Sequence, residues 1–221
     1  MHNTQSNLIE IQSKIKNKIK NLNLSDYKPK IIAVSKTFSD QDIIPLLNYG
    51  HIDFGENKVQ EAKIKWVKLK NEFKDVKLHM IGKLQTNKVK HAVEIFDYIH
   101  SLDNLKLANK LSEEIKKKNK KIKIFIQVNL GGEIQKSGIE PSEILSFYKN
   151  CVSLNLNIVG TMCIPPDNYD PKPFFCDMLN LNKKLNLSEI SMGMTNDYLE
   201  ALEYNATFLR IGSGIFGNRS N

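Results

Sequence analysis

Arginine is scarce in this 221-residue chain: Lys and Arg together number 32, yet Arg210 and Arg219 are its only arginines. Cysteine is scarce as well. Cys151, Cys163 and Cys176 form no CxxC pair, and an odd count argues against a complete disulfide framework. Clustered Cys/His spacing is missing, so a zinc site is not expected. No apolar run approaches the roughly 20 residues that a membrane helix needs. The opening stretch MHNTQSNLIEIQSKIKNKIK lacks the apolar segment and small-residue cleavage site of a secretory signal. These absences lead to the expectation of a cytoplasmic protein without a membrane partner.

What is present in excess is lysine. The net charge of +8 and a pI near 9.2 invite a nucleic-acid reading. Lysine is spread over the whole chain, however, and runs such as KKKNKKIK (116–123) have the look of a solvated helix end and its loop. Charge of this kind supports non-specific contacts, and no specific nucleic-acid partner is expected. Against that background an arginine stands out as a place where the planar, donor-only fork is needed.

Eight β-like runs alternate with helix-like stretches. The runs are KIIAVSK (30–36), HIDFGE (51–56), KLHMIGK (77–83), DYIHSLD (97–103), KIFIQVNL (123–130), NIVGTMCI (157–164), EISMGM (189–194) and TFLRIGSGIFG (207–217). Between them, SDQDIIPLLNYG opens on a Ser39 cap and stops at Gly50, with Pro45 a costly residue if it falls in the helix interior. NKVQEAKIKWVKLKNEF places Val59, Ala62, Trp66 and Leu69 on one face. NLKLANKLSEEIKKK aligns Leu105, Ala108, Leu111 and Ile115, and EPSEILSFYKNCVSL aligns Ile144, Leu145, Tyr148 and Val152. Alternation of this kind implies parallel strands and right-handed crossovers. The expected fold class is α/β, a single (β/α)8 TIM-type barrel spanning residues 1–221 as one domain. An extra N-terminal helix, about Thr4 to Lys20, is expected to cap its floor. An open doubly wound sheet is the alternative, but no GxGxxG follows the first run and no shift in composition marks a second half.

In such a barrel the chemistry sits where the strands end. The first run ends at Ser35-Lys36, the second at Gly55-Glu56-Asn57, and the third carries His79. The seventh ends in SMGMT and the eighth in RIGSG. Loops after strands seven and eight often hold phosphate, and Ser191, Thr195 and Ser213, with the backbone around Gly212, offer hydroxyls and N–H groups for one. A lysine at a strand mouth is partly desolvated, which favours its neutral, nucleophilic form. An amine and a phosphate cradle on one rim fit pyridoxal 5′-phosphate (PLP). On the residues alone, a Lys36 that merely snorkels to solvent is the simpler reading.

The motifs AVSKT, FGENKVQEA, HMIGKLQTNK, VNLGGEIQKSGI, IVGTMCIPP, SMGMTNDYLEAL and FLRIGSGIFGNR occur in order along nearly the whole chain. Together they resemble the YggS/PROSC family of PLP-binding proteins, the pyridoxal phosphate homeostasis proteins. The resemblance implies an alanine racemase N-terminal-like barrel, also shared with eukaryotic ornithine decarboxylase. It implies Lys36 as the Schiff-base lysine, and Ser191, Thr195, Gly212 and Ser213 around the phosphate. Arg210 is placed against the pyridine nitrogen, with Asn57 and His79 on the ring side. Lys136 is a further lysine at the rim, read more simply as a solvated loop residue. Lys58 and Lys83 depart from the family pattern, which commonly has Tyr at the first position and His or Pro at the second.

The function this implies is intracellular PLP homeostasis, holding and delivering the cofactor without strong turnover. The partners are PLP and, in delivery, apo forms of PLP-dependent enzymes, and a monomer is expected. Arg210 can only donate, so a ring nitrogen facing it stays unprotonated and stabilises a carbanion poorly. An amino-acid racemase of the alanine racemase type is the enzymatic alternative. In alanine racemase a tyrosine from a second domain of the partner subunit serves one face. Tyr49, Tyr148 and Tyr204 fall on helix-like stretches here and Tyr169 in the loop PPDNYDPKP, and none is an obvious replacement. A basic nucleic-acid-binding protein is the second alternative.

Overall fold

The computed structural model describes residues 2–132 and 137–217; Lys136 and Arg219 lie outside them. Eight parallel strands close into a barrel in sequential order, β1 pairing with both β2 and β8. They are β1 (Lys30–Val34), β2 (Asp53–Glu56), β3 (Lys77–Met80), β4 (Tyr98–Leu102), β5 (Lys123–Gln127), β6 (Ile158–Met162), β7 (Glu189–Ser191) and β8 (Phe208–Ile211). Each falls inside one of the eight expected runs. Most are shorter at the C-terminal end, where the chain leaves the ladder to build the mouth.

The helices are α1 (Asn3–Asn21), α2 (Asp40–Asn48), α3 (Val59–Glu72), α4 (Val89–Ile95), α5 (Leu105–Lys118), α6 (Ile144–Ser153), α7 (Lys172–Lys184), α8 (Tyr198–Ala201) and α9 (Ser213–Phe216). Ser39 and Asp42 form a capping box at the start of α2, and Gly50 follows its end at φ +91°. Pro45 does sit inside α2. Its missing N–H would have met the carbonyl of Gln41, an exposed residue, where water can substitute.

Two apolar layers divide the core. The larger lies between barrel and helices and includes Trp66, Leu69, Leu111 and Phe175. The smaller fills the barrel itself with Ile32, Val34, Tyr98, Phe125, Met162 and Phe208. α3 buries Val59, Ala62, Trp66 and Leu69 as its spacing predicts. The other two faces are turned from the expected ones. α5 buries Leu107, Ala108 and Leu111 and exposes Leu105; α6 buries Ile144, Phe147 and Cys151 and exposes Leu145 and Val152. Both helices carry apolar residues on two adjoining stripes, so periodicity alone could not choose between them.

The N-terminal helix does not cap the floor. Because α9 is only four residues long, β8 lacks a full outer helix, and α1 takes that place in the ring beside α2, α8 and α9. Thr4 Oγ1 donates to the carbonyl of Asp42, Asn7 Nδ2 donates to that of Ile215, and Lys18 pairs with Glu203 at the far end. Leu8, Ile11 and Ile15 face inward.

Candidate functional site

A cavity of about 760 Å³ opens at the C-terminal ends of the strands. Lys36 follows β1, Asn57 follows β2, and Ile81 follows β3. Thr195 and Asp197 follow β7, Arg210 projects from β8, and Gly212 and Ser213 follow it; all of these line the cavity. Six of the eight residues singled out in the sequence therefore share one space: Lys36, Asn57, Thr195, Arg210, Gly212 and Ser213.

The turn carrying Lys36 is held from behind. Phe38 N–H donates to the Ser35 carbonyl, and Thr37 adopts φ +68°, a left-handed conformation that is strained for a β-branched residue. Glu61 accepts the Thr37 N–H. Lys65 donates to the carbonyls of Ser35 (2.8 Å) and Phe38 (3.3 Å), clasping both ends of the turn. Lys65 also pairs with Glu61 at 2.9 Å and with the wholly buried Glu56 at 2.8 Å. The same Glu56 Oε1 accepts from the Ser35 hydroxyl (2.7 Å) and the Trp66 indole (2.9 Å). Phe38 stacks on Phe216 of α9 at 4.8 Å, tying the Lys36 turn to the loop after β8.

The loops after β7 and β8 are stitched together on the adjoining side of the mouth. Thr195 Oγ1 accepts from the Gly214 N–H (3.2 Å) and from the Ser213 hydroxyl (3.3 Å). Asp197 accepts the Met194 N–H. Burial raises the Asp197 carboxyl above its ordinary range, against the opposing pull of Arg210. Arg210 is buried up to the cavity edge; its guanidinium donates to Ser191 Oγ and to the Cys163 carbonyl, both at 2.8 Å.

Ser191 and His79, expected beside the cofactor, do not line the cavity. Both are fully buried in the barrel interior beneath it. The reason is the strand pleat. Residues two apart share a face, so on β3 the residue reaching the rim is Ile81, one pleat beyond His79. On the β7 side the rim begins at Met194, three residues beyond Ser191.

Tyr169, from the proline-rich loop after β6, is one of the lining residues, together with Pro165, Pro166 and Asp167. Sequence reasoning set this loop aside; its position directly after the sixth run was the available signal. Lys58 and Lys83 stand apart, in a neighbouring cleft of about 390 Å³ that shares the Asn57 wall.

The description alanine racemase, N-terminal domain, matches residues 11–220. A pyridoxal phosphate homeostasis protein of Pasteurella multocida is 36% identical, with 97% of each chain covered. That of Homo sapiens is 36% identical over 87% of this chain and 77% of its own. PipY of Synechococcus elongatus, solved with PLP bound, has a TM-score of 0.81 at 31% identity, covering 92% of this chain and all of that one. The chain belongs to the pyridoxal phosphate homeostasis protein family.

In this family member the barrel interior disfavours the charged form of its histidines. Burial lowers His79 despite its Asp53 partner, and burial, with His79 and the Arg210 guanidinium alongside, lowers His100 well below the ordinary value. Burial also lowers His51. An unfolded chain therefore takes up protons first, at pH values near 6.5, while the folded protein does not. Stability is full above that pH and falls as the pH drops below it toward the folded values. Urea unfolding at pH 7.5 and pH 5.5 is expected to show a lower midpoint at pH 5.5, and His100→Phe is expected to narrow the difference.

Proposed function

We propose that this protein binds PLP through Lys36 and serves PLP homeostasis, as a holder and donor of the cofactor rather than a catalyst of turnover. The observation that carries this is the placement of the Lys36 amine, the Thr195 and Ser213 hydroxyls and the Arg210 guanidinium around one cavity. That donor set fits PLP: an amine for the aldehyde, hydroxyls for the phosphate, and a donor-only cation for the pyridine nitrogen. PLP supplies a reactive aldehyde and a conjugated ring. The protein supplies orientation through the Lys65 clasp behind Lys36 and through the Thr195–Gly214 stitch beside it. We assign the whole chain to one barrel domain acting as a cytoplasmic monomer, with apo forms of PLP-dependent enzymes as recipients.

Racemisation is the second reading, and Tyr169 is the observation that favours it. A phenol on the cavity wall is what a second acid/base would require. Tyr169 is 69% exposed, which supports the holding role.

The test is spectroscopic and functional at once. Purified protein titrated with PLP is expected to gain visible absorbance, to transfer the cofactor to an apo-enzyme, and to leave amino-acid enantiomers unchanged. Protein that stays colourless with PLP contradicts binding. Multiple turnovers that Tyr169→Phe abolishes contradict the holding role.

A further inference from the structure

The barrel interior contains a polar chain that the cavity reading leaves without a task. Arg210 Nη1 donates to Ser191 Oγ at 2.8 Å; Ser191 Oγ lies 2.9 Å from His100 Nδ1; His100 Nε2 lies 3.0 Å from His79 Nδ1; and His79 Nε2 lies 3.0 Å from Asp53 Oδ1. Five strands supply it, and it runs from the first residue of β2, at the barrel floor, to the cavity wall at Arg210.

The end groups dictate its direction. A guanidinium can only donate, and a carboxylate can only accept. His79 must therefore carry its proton on Nε2, toward Asp53. Its Nδ1 is left as an acceptor, which requires His100 to carry its proton on Nε2 as well. His100 Nδ1 then accepts the Ser191 hydroxyl proton, and the Ser191 oxygen is open to Arg210. The opposite direction would set an unprotonated His79 nitrogen against the carboxylate.

Each imidazole is clamped in plane by an aromatic neighbour: His79 stacks on Tyr98 and His100 on Phe125, both at 4.2 Å. The other charges facing His79 are Lys30 and Asp97, and Arg210 is the charge facing His100. A buried chain whose members each have a partner is rigid, and its cost if broken makes it specific.

We propose that Asp53, His79, His100 and Ser191 form a one-way hydrogen-bond relay that positions Arg210 at the floor of the cavity. The relay commits one guanidinium nitrogen to Ser191, the Cys163 carbonyl commits another, and the remaining N–H edge is presented to the cavity in a single orientation. His79 and His100 are thus positioning residues for the group that faces the pyridine nitrogen. This rests on the PLP reading of the cavity, but the polarity of the relay does not.

Two measurements test it. In cofactor-free protein carrying 15N-labelled histidine, long-range nitrogen–proton correlations at pH 7 are expected to show both His79 and His100 as neutral Nε2–H tautomers. An Nδ1–H tautomer or a cation at either residue would overturn the relay. In PLP-loaded protein, the pH profile of the visible absorbance is expected to shift by about half a unit, roughly threefold in proton affinity, in His100→Phe and equally in Ser191→Ala. Folded Ser191→Ala with a wild-type profile would overturn the positioning role. A wild-type protein with no PLP absorbance would remove the cavity reading and the role toward the ring, while the tautomer result would still decide the polarity.

Discussion

Replacing Lys65 by methionine is expected to destabilise the fold by about 3–5 kcal/mol, the usual cost of leaving one partner of a buried ion pair unmatched. Glu56 is the partner left behind. It is wholly buried, its Oε1 is shared by Lys65, Ser35 and Trp66, and its Oε2 has no partner among the described residues. Without the ammonium, that carboxylate is a charge stranded in the interior. The same substitution releases the carbonyls of Ser35 and Phe38, so the strained Thr37 turn loses its clasp. The effect should reach beyond stability: at temperatures where the variant is still folded, Lys36 should react more slowly with PLP. The double variant Glu56→Gln/Lys65→Met should recover much of the stability, because no charge is then stranded, and little of the reactivity. Urea unfolding and the rate of absorbance gain measure the two separately. A Lys65→Met protein within 1 kcal/mol of wild type would remove the clasp from the account.

The second large effect is expected far from the cavity, at Gly160. This residue of β6 pairs directly with Glu189 of β7, and a Cβ there would lie 1.8 Å from the Glu189 carbonyl oxygen. That contact is with backbone, not with a side chain that can swing away. Gly160→Ala must therefore force β6 and β7 apart or shift their register. Overpacking of this kind costs about 1–3 kcal/mol, and a clash with main chain falls at the upper end or beyond. β7 is only three residues long and leads straight into the segment that carries Thr195. A displaced β7 moves the phosphate wall while leaving Lys36 in place. The expected result is a folded but less stable protein that still reacts with PLP at Lys36 and releases it faster. Thermal unfolding and the dissociation rate of bound PLP check both parts. Gly160→Ala with unchanged dissociation would show that the β7 loop is indifferent to its strand.

Both predictions bear on what could be read from the chain itself. The eight strands were legible because each is a short apolar run bounded by polar or glycine residues, and the barrel followed from their alternation with helices. The rim residues Lys36, Asn57, Thr195, Arg210, Gly212 and Ser213 were legible because strand ends in a parallel barrel converge on one mouth. Depth within the barrel was not legible. Ser191 and Thr195 read alike as hydroxyls near a strand end, yet four residues separate a buried relay member from a cavity wall. His79 failed in the same way, by one pleat. The role of α1 was missed because it depends on α9 being too short to cover β8, a tertiary vacancy no local pattern announces. The Lys65 clasp was invisible among so many lysines. What marks Lys65 is burial beside Glu56, and both were read only as parts of helix and strand patterns.

The most direct test of the central claim is to load the wild-type protein with PLP, reduce it with borohydride, and locate the modified residue by peptide mass spectrometry. The account predicts a single pyridoxyl adduct on Lys36, absent from Lys36→Ala. An adduct that instead falls on Lys58 or Lys83 in the neighbouring cleft, or that persists undiminished in Lys36→Ala, would contradict it.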